Sequence, residues 1–400
     1  MKRETEVELL QELLDLDASG SAFLADEMEQ RRVEHYFDPG RFREERESIF
    51  RRMPHPLVHC SELEEPGAFL RRDLAGLPLL ITRDGDGQVH AFLNVCRHRG
   101  TRLVDAAQGC KGRFSCPYHA WTWNNRGELL AIPHKEQGFA GIDKEQLGLK
   151  RLGCVEKYGW VWVQADAEEA PDVDGSLEGL ACDFDWFESA DHRVAHTEER
   201  VCHANWKILV EGGIEAYHFR VAHRNTIAPY FLDNLSSYRT FGPHMRSVLA
   251  RRSMSELTSQ PEDTWHIREH AQVLYSFFPL NQLLVQADHF AWIQMEPLSA
   301  TATRVRISTL APKERMETGT DLEHWARNHA ITTTTLAEDF DIGESIQAGL
   351  ESGANEHLTF GRFEGALGEF NRCVDQRLGD RDEGSRAPLD RRTSQGPLIA

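Results

Sequence analysis

Residues 96–119 read CRHRGTRLVDAAQGCKGRFSCPYH and contain two Cys-His pairs, Cys96-x-His98 and Cys116-x-x-His119. LPLLITRDGDGQVHAFLNV (77–95) leads into the first pair through an Asp-Gly turn, and WTWNNRGELL (121–130) follows the second through Asn-Asn-x-Gly. Turns of this kind join the strands of β-hairpins, so each pair is expected at the tip of a hairpin. Two short loops can then close on one metal centre, with these two cysteines and two histidines as candidate ligands.

Two kinds of metal centre fit this set of ligands. Two thiolates and two imidazoles form an ordinary tetrahedral zinc site, but zinc sites tend to pair like ligands, and here each loop supplies one of each kind. A [2Fe–2S] cluster with two Cys on one iron and two His on the other requires this mixture. The stretch resembles the Rieske domain of Rieske non-haem iron oxygenases. The resemblance extends to flanking residues, namely Arg97, Arg99, Gly100, Tyr118, Ala120 and Trp121.

Composition restricts the class of protein. The 400 residues, 40% of them hydrophobic, suffice for two or three domains, and no apolar run approaches the roughly 18 residues of a membrane helix. A net charge of −19 opposes nucleic-acid binding and suits docking to a basic redox partner. The 8 cysteines are scattered, which favours a reducing compartment. The sequence therefore predicts a cytoplasmic protein that binds neither nucleic acid nor a membrane.

The chain divides into four predicted segments. MKRETEVELLQELLDL (1–16) has Val7, Leu10 and Leu14 at helical spacing and predicts an amphipathic helix that packs on a later domain. Strand-like YGWVWVQAD (158–166) ends the cluster domain, and an acidic, loop-like connector follows to about 195. The predicted segments are an N-terminal helical segment (1–44), a [2Fe–2S] domain (45–165), a catalytic domain (166–378) and a flexible tail (379–400).

A second candidate metal site lies in NWKILVEGGIEAYHFRVAH, residues 205–223. On a continuous helix, Glu211, Glu215 and His218 lie within about 40° of one another, whereas His223 lies about 140° from His218. Both imidazoles reach one metal only if the helix ends or bends between them. Surface histidines are the ordinary alternative. The pattern also resembles the iron-binding helix of the same family, which implies that His218 and His223 belong to a 2-His-1-carboxylate triad.

The carboxylate of this triad is expected from ITTTTLAEDFDIGESIQAGL, residues 331–350. On a helical wheel Asp339 is surrounded by apolar residues, among them Ile342 and Ile346, with Glu338, Asp341 and Glu344 on the other side. A carboxylate on an apolar face is costly unless it is paired or binds a metal, although a cap or a buried ion pair is the alternative. The segment also reproduces the family pattern ED-x4-E-x2-Q-x-GL, which selects Asp339 as well.

The fold class predicted is α+β. SFFPLNQLLVQADHFAWIQMEPLSATATRVRISTLAP (276–312) alternates in the manner of antiparallel strands and is followed by a long helix at 323–350. With the cluster segment, this resembles a Rieske β-sandwich domain with [2Fe–2S] loops joined to a helix-grip catalytic domain. His289 and Trp292 either line the pocket between sheet and helix or fill it, and filling is the favoured interpretation.

Two further residues receive roles only through the resemblance. In the family, an acid three residues before the first iron histidine links it to the second cluster histidine of a neighbouring subunit. This implies that Glu215 bridges His218 and His119 across a homotrimer interface, while an ordinary surface acid is the alternative. Asn205 matches an asparagine near the iron, but a helix N-cap is an equally good interpretation.

The resemblance implies the oxygenase component of a multicomponent system, which uses O2 to hydroxylate a small organic substrate, with aromatic compounds favoured. Alternatives are a monooxygenase or demethylase of a quaternary amine such as carnitine or glycine betaine, and a non-catalytic electron carrier or ligand-binding protein. Glu215, where ring-dihydroxylating members often have Asp, leans toward the quaternary-amine branch. The sequence has no GxGxxG fingerprint or flavin motif, so electrons from NAD(P)H must arrive through a separate reductase or ferredoxin.

Overall fold

The computed structural model describes residues 1–379. The predicted tail 379–400 lies outside the described residues, apart from Gly379, which ends the last helix with a φ of 74°. Within residues 1–379 no helix is long and apolar enough to cross a bilayer.

The N-terminal segment folds back on the second half of the chain. Its apolar helix residues Leu9, Leu10 and Leu13 are buried in a core cluster that also contains Tyr275 and Leu283 from that half. The predicted helical face, centred on Leu10, is therefore buried. The elements here are α1 (Arg3–Ala18), β1 (Glu29–Arg32) and α2 (Pro39–Glu45).

Two antiparallel sheets follow. The first sheet has seven strands in the order β2-β11-β10-β5-β4-β3-β6, and a smaller sheet is formed by β7, β8 and β9. The predicted hairpins are β4–β5 and β8–β9, and they lead into and out of the Cys-His loops as expected. The elements are β2 (His55–His59), β3 (Ala68–Leu74), β4 (Leu77–Arg83), β5 (Val89–Leu93), β6 (Gln108–Cys110), β7 (Arg113–Ser115), β8 (Thr122–Asn124), β9 (Leu129–Ala131), α3 (Lys135–Gly138), β10 (Arg151–Lys157) and β11 (Trp160–Gln164).

The connector is more ordered than predicted. It contains α4 (Val173–Leu177) and α5 (Phe184–Phe187), and the side chains of Leu177, Leu180 and Phe184 are buried in the same core cluster as Leu10 and Tyr275. The prediction that the connector is loop-like was therefore wrong in part. It gave weight to the acidic residues and overlooked the apolar side chains that recur among them at helical spacing.

The second half of the chain is built on one antiparallel sheet of seven strands, in the order β12-β18-β17-β16-β15-β14-β13. The 33-residue helix α9 packs on β12 and β18, and β19 pairs with β1. The elements are β12 (His192–Cys202), α6 (Trp206–Gly213), α7 (Phe219–Ala222), β13 (Phe231–Phe241), β14 (His244–Arg251), α8 (Ile267–His270), β15 (Ala271–Phe277), β16 (Asn281–Val285), β17 (Phe290–Ser299), β18 (Ala302–Pro312), α9 (Gly319–Glu351), β19 (His357–Phe360) and α10 (Gly365–Leu378).

The two faces of this sheet have different partners. Alternate strand residues such as Ile293 and Ile307 share a core cluster with Phe340 of α9, and we call this helix-covered side of the sheet its concave face. The intervening residues share a cluster with Trp160 of the first sheet. Trp292 belongs to this opposite face, is fully buried and donates its Nε1–H to Asn281 Oδ1 at 3.0 Å. Trp292 therefore fills the core, as predicted.

Candidate active site and metal centres

The two Cys-His loops have the same backbone turn. In each, the N–H of the cysteine donates to the carbonyl oxygen five residues later at 2.8 Å, and the N–H four residues later donates to the carbonyl of the cysteine at 3.0 Å. The fourth residue after the cysteine has a positive φ in both, 78° at Gly100 and 54° at Ala120. This repetition presents Cys96 with His98, and Cys116 with His119, from two similar loops.

The side chains of these loops form a donor set with no protein partner for its nitrogens. Cys96 and Cys116 are buried. Burial is the main cause that raises the pKa of the Cys96 thiol, and the neighbouring Cys116 thiol raises it further. The rings of His98 and His119 lie 4.8 Å apart, and each has a buried Nδ1 without a hydrogen-bond partner among the described residues. A buried, unpaired ring nitrogen is costly unless it binds something else. Two thiols and two such nitrogens fit the ligand set of a [2Fe–2S] cluster.

An aromatic shell fixes the first of these imidazoles. Trp121 stacks on His98 with ring centroids 4.7 Å apart and an angle of 6° between the planes. Phe139 meets both rings edge-on, at 5.7 Å from His98 and 5.4 Å from Trp121. These rings cover two sides of the His98 imidazole, and the apolar surroundings of a ligand are one factor that tunes the potential of a bound cluster.

The segment that carries the second pair of histidines is not one helix. Helix α6 ends at Gly213 after two successive glycines, and α7 begins only at Phe219. The predicted helical face was therefore wrong: Glu211 is buried and accepts hydrogen bonds from Tyr36 and Asn371, at 2.8 and 2.7 Å. Glycine pairs favour this break because glycine is a poor helix former. His218 and His223 flank the short helix α7 as its N-cap and C-cap, so the helix ends before His223, as the convergence of both imidazoles requires.

Three side chains converge there. His218 Nε2 lies 3.1 Å from His223 Nε2, and Asp339 Oδ1 lies 3.4 and 3.0 Å from these two nitrogens. Each of His218, His223 and Asp339 offers one ligand atom, and these three atoms lie within 4.8 Å of one another. Two imidazoles and one carboxylate match the facial triad of non-haem iron.

Both outer nitrogens are held by carboxylates. Glu215 Oε1 contacts His218 Nδ1, and Glu338 Oε2 lies 2.8 Å from His223 Nδ1. Burial opposes the charged imidazole, but hydrogen bonds with Asp339 and Glu215 raise the pKa of His218 to about 10. Such surroundings favour a cation between the two Nε2 atoms. The carboxylates also fix the tautomer that leaves Nε2 free to bind a metal.

The arrangement of the two sites agrees with the comparisons with known proteins. A family model described as Rieske [2Fe-2S] domain matches residues 53–158, and one described as ring hydroxylating alpha subunit (catalytic domain) matches residues 187–380. The chain belongs to the Rieske oxygenase alpha subunits. In this family the Rieske domain carries a [2Fe–2S] cluster and the catalytic domain binds mononuclear iron, which agrees with the cofactors predicted.

Relatives of this alpha subunit include both monooxygenases and dioxygenases. The methanesulfonate monooxygenase hydroxylase subunit alpha of Methylosulfonomonas methylovora is 31% identical over 206 residues, 49% of this chain and 50% of that one. The carnitine monooxygenase oxygenase subunit of Acinetobacter baumannii is 28% identical over 323 residues, 78% of this chain and 82% of that one. The first three curated relatives are matched over 44% to 50% of their own length.

Solved structures confirm the predicted fold class. The quaternary ammonium Rieske monooxygenase CntA, in complex with an inhibitor, has a TM-score of 0.74 and 25% identity, covering 87% of this chain and 94% of that one. Naphthalene 1,2-dioxygenase with indole bound also has a TM-score of 0.74, at 20% identity, covering 88% of this chain and 92% of that one. The second similarity concerns the fold alone.

Within the catalytic domain, the structure corrects the predicted face of α9. Ile342 and Ile346 were expected beside Asp339 on a buried face, but they are 44% and 40% exposed. Glu338 was expected to point away, yet it contacts His223 Nδ1 and accepts a hydrogen bond from Thr226 Oγ1 at 2.6 Å. Asp341 does point away and pairs with Arg200 at 2.5 Å. Sequence reasoning missed Glu338, although a ligating histidine usually needs such a partner for its second nitrogen.

Asn205 is the N-cap of α6. Its Oδ1 accepts a hydrogen bond from the Lys207 N–H at 2.9 Å, and its Nδ2 donates to the Ala300 carbonyl at 2.7 Å. Its own N–H donates to Gln347 Oε1. These contacts engage its polar atoms away from the triad, so the structure favours the N-cap over the role near iron that the resemblance implied.

Proposed function

We propose that this chain is the terminal oxygenase of a multicomponent Rieske system, which uses O2 and electrons derived from NAD(P)H to hydroxylate a small organic molecule. The observation that carries the proposal is the convergence of His218 Nε2, His223 Nε2 and Asp339 Oδ1 within 3.0 to 3.4 Å. An electron carrier needs the Cys-His loops but has no use for a second set of ligands. The buried Nδ1 atoms of His98 and His119, with the two thiols, complete the electron-accepting site.

The residues around the triad have separable roles. Iron bound by two imidazoles and one carboxylate keeps positions open for dioxygen beside a substrate. Glu215 and Glu338 accept the Nδ1–H protons, which orients each ring and leaves Nε2 as the donor atom. Thr226 holds the Glu338 carboxylate in turn. The concave face of the sheet and α9 enclose the space in which the substrate would bind.

We propose a homotrimer in which electrons pass between subunits. Tyr118 is 57% exposed and lies against the His119 ring at 3.7 Å, so the edge of the second cluster loop faces outward. Near the triad, Tyr217 and Val221 are 55% and 70% exposed, and a neighbouring subunit would cover this apolar pair. Glu215, between these two surfaces, would link His218 to His119 of a neighbouring subunit. The solved structure of one quaternary ammonium Rieske monooxygenase gives insights into inter-subunit electron transfer in that protein.

The electron donor is proposed to be a separate reductase or ferredoxin. The net charge of −19 favours a donor with a basic docking surface, because opposite charges accelerate encounter. None of the 8 cysteines, which all lie within residues 1–379, forms a disulfide, and this fits the cytoplasmic location proposed here.

A quaternary amine is the second candidate for the substrate, beside an aromatic compound. Two observations favour it. At the position where the resemblance implies a bridging acid, this chain has Glu215 and not the Asp that is common in ring-dihydroxylating members. Relatives also include carnitine and glycine betaine monooxygenases. Among the solved structures, one of CntA is a complex with the substrate L-carnitine. The two candidates predict different products from one assay, namely a ring diol and an aldehyde released with the amine.

The test combines metal analysis with oxygen uptake. We expect about three irons per chain, two in the cluster and one mononuclear. With a surrogate reductase, a panel of aromatic compounds and quaternary amines should reveal oxygen consumption coupled to NADH oxidation. His218→Ala should abolish coupled uptake while the cluster remains reducible, whereas His203→Ala, a nearby exposed histidine, should leave it unchanged. Zinc in place of iron, or a His218→Ala variant with full activity, would reject the proposal.

A further inference from the structure

Arg251 is an arginine on the concave face of the catalytic sheet that has no acidic partner. It is the last residue of β14, and alternation puts it on the same side as Leu249, which clusters with Ala216 and Phe231 beside the triad. No carboxylate of residues 1–379 forms an ion pair with its guanidinium, and its Nε is buried without a hydrogen-bond partner. A partly buried cation without a counter-charge is costly.

The groups that do meet this guanidinium are neutral. Its terminal nitrogen donates to Gln272 Oε1 and Gln286 Oε1, each at 3.3 Å. The ring of Phe231 lies under the cation at 5.4 Å. Two long hydrogen bonds and one ring contact balance the charge less well than a carboxylate, so burial lowers the pKa of Arg251. The free Nε–H and the fork geometry remain available for an anion with two oxygens.

Two aromatic rings connect Arg251 to the iron ligand His223. The ring of Phe231 lies 5.5 Å from that of Phe219, which lies 5.1 Å from the ring of His223. Leu284 of the sheet and Leu336 of α9 are only partly buried although they border the core between these elements. The space between sheet and helix is therefore not completely filled on the side where Arg251 and Asp339 lie.

We propose that Arg251, with Gln272 and Gln286, binds the anionic head of the substrate, so that the substrate class is small organic carboxylates or sulfonates. The inference rests on the proposed function, because it assumes that the space beside the triad is the substrate site. The two glutamines hold the guanidinium without neutralising it, and the anion then supplies the missing counter-charge. The apolar remainder of the substrate contacts Phe231 and Phe219 on the way to the iron.

The test measures binding to the iron-loaded protein by calorimetry, without reductase and under nitrogen. The probes are two matched pairs of anion and neutral isostere: methanesulfonate with dimethyl sulfone, and benzoate with benzamide. At least one anion should bind about ten- to a hundredfold more tightly than its isostere, the range expected for charge-assisted hydrogen bonds. Sodium sulfate should bind more weakly than that anion, because it lacks the apolar body. Equal binding within both pairs, including no binding, would overturn the proposal, and so would tighter binding of sulfate.

Variants assign the effect to Arg251. Arg251→Gln should remove the preference for the anion, and Arg251→Lys should retain part of it, since charge is kept and the fork is lost. Gln286→Glu places a carboxylate beside the guanidinium, so it should remove the preference without loss of folding. Arg252→Gln is the matched control, because Arg252 is exposed and its Nε donates to the Pro229 carbonyl at 3.0 Å. A preference that survives in both Arg251→Gln and Gln286→Glu refutes the assignment.

This experiment separates the two proposals. Binding is measured without electrons, so a failure to find anion preference leaves the terminal-oxygenase function standing. Conversely, absence of coupled oxygen uptake with every substrate would reject the oxygenase function while the anion site could still be measured.

Discussion

Glu338 provides the sharpest test of the mononuclear site, because its expected role comes from geometry alone. Its carboxylate lies 2.8 Å from His223 Nδ1 and is itself held by Thr226. Glu338→Ala removes the group that orients the imidazole and leaves the buried His223 ring free to turn. Loss of such a partner typically weakens metal binding by about 10- to 100-fold, equivalent to about 1.4 to 2.8 kcal/mol. We expect this loss without any change in the [2Fe–2S] cluster.

The measurement is a competition for Fe(II) between the protein and a chelator under nitrogen, with the cluster quantified separately by its visible absorption. Asp341→Ala is the matched control, because Asp341 is three residues away on the same helix and pairs with Arg200 at the surface. Asp339→Ala should lose the mononuclear iron altogether, and Glu338→Gln should lie between wild type and Glu338→Ala. If Glu338→Ala binds iron as tightly as Asp341→Ala does, then Glu338 does not support the site.

Three further predictions concern other parts of the molecule. Glu215→Gln should keep both metals and the oligomer but slow oxidation of the reduced cluster in single-turnover kinetics, whereas an unchanged rate would exclude the bridging role. His98→Cys should retain a cluster with a markedly lower potential in a redox titration, because an anionic thiolate stabilises the oxidised state; an unchanged potential would show that His98 is not a ligand. Burial raises the pKa of Glu211 from its ordinary value to about 7, so the folded state holds a proton that the unfolded state has lost. As the pH rises from 4.5 to 7, the free energy of unfolding of the wild type should therefore fall by up to about 1.4 kcal/mol per pH unit relative to that of Glu211→Gln, as measured by denaturant titrations. The same pH dependence of stability in both proteins would contradict this.

The [2Fe–2S] loops could be predicted from the sequence because their geometry is local. Each cysteine is followed four residues later by a residue in the left-handed region, and hairpin strands on either side fix where the loop lies. Ligand type and spacing therefore carried enough information to place four side chains together. The long-range contact between the loops followed from the need of one metal centre for all four ligands.

The iron-binding segment could be predicted only in part. The pattern of His218, His223 and Asp339 identified residues that the structure brings together, but the helical wheel used for 205–223 assumed a helix that Gly212 and Gly213 interrupt. Glu211 consequently belongs to a buried network with Tyr36 of the N-terminal segment instead of the metal side. Contacts between segments so distant in sequence have no local signal, and periodicity cannot reveal them.

The neighbours Glu338 and Asp339 explain why a wheel can find one carboxylate of this site and miss the other. Consecutive helix residues diverge by about 100°, so a wheel that sets Asp339 at the centre of a face places Glu338 outside that face. The partner here is a flat ring with nitrogens on two sides. His223 presents Nε2 to Asp339 Oδ1 at 3.0 Å and Nδ1 to Glu338 Oε2 at 2.8 Å, so the imidazole lies between two successive side chains of α9. One acid thus faces the metal position and the next orients the ring. Two consecutive acids on a helix beside a metal-ligating histidine therefore predict that one acid binds the metal and the other orients the imidazole. This holds whatever the direction of the helix's apolar face.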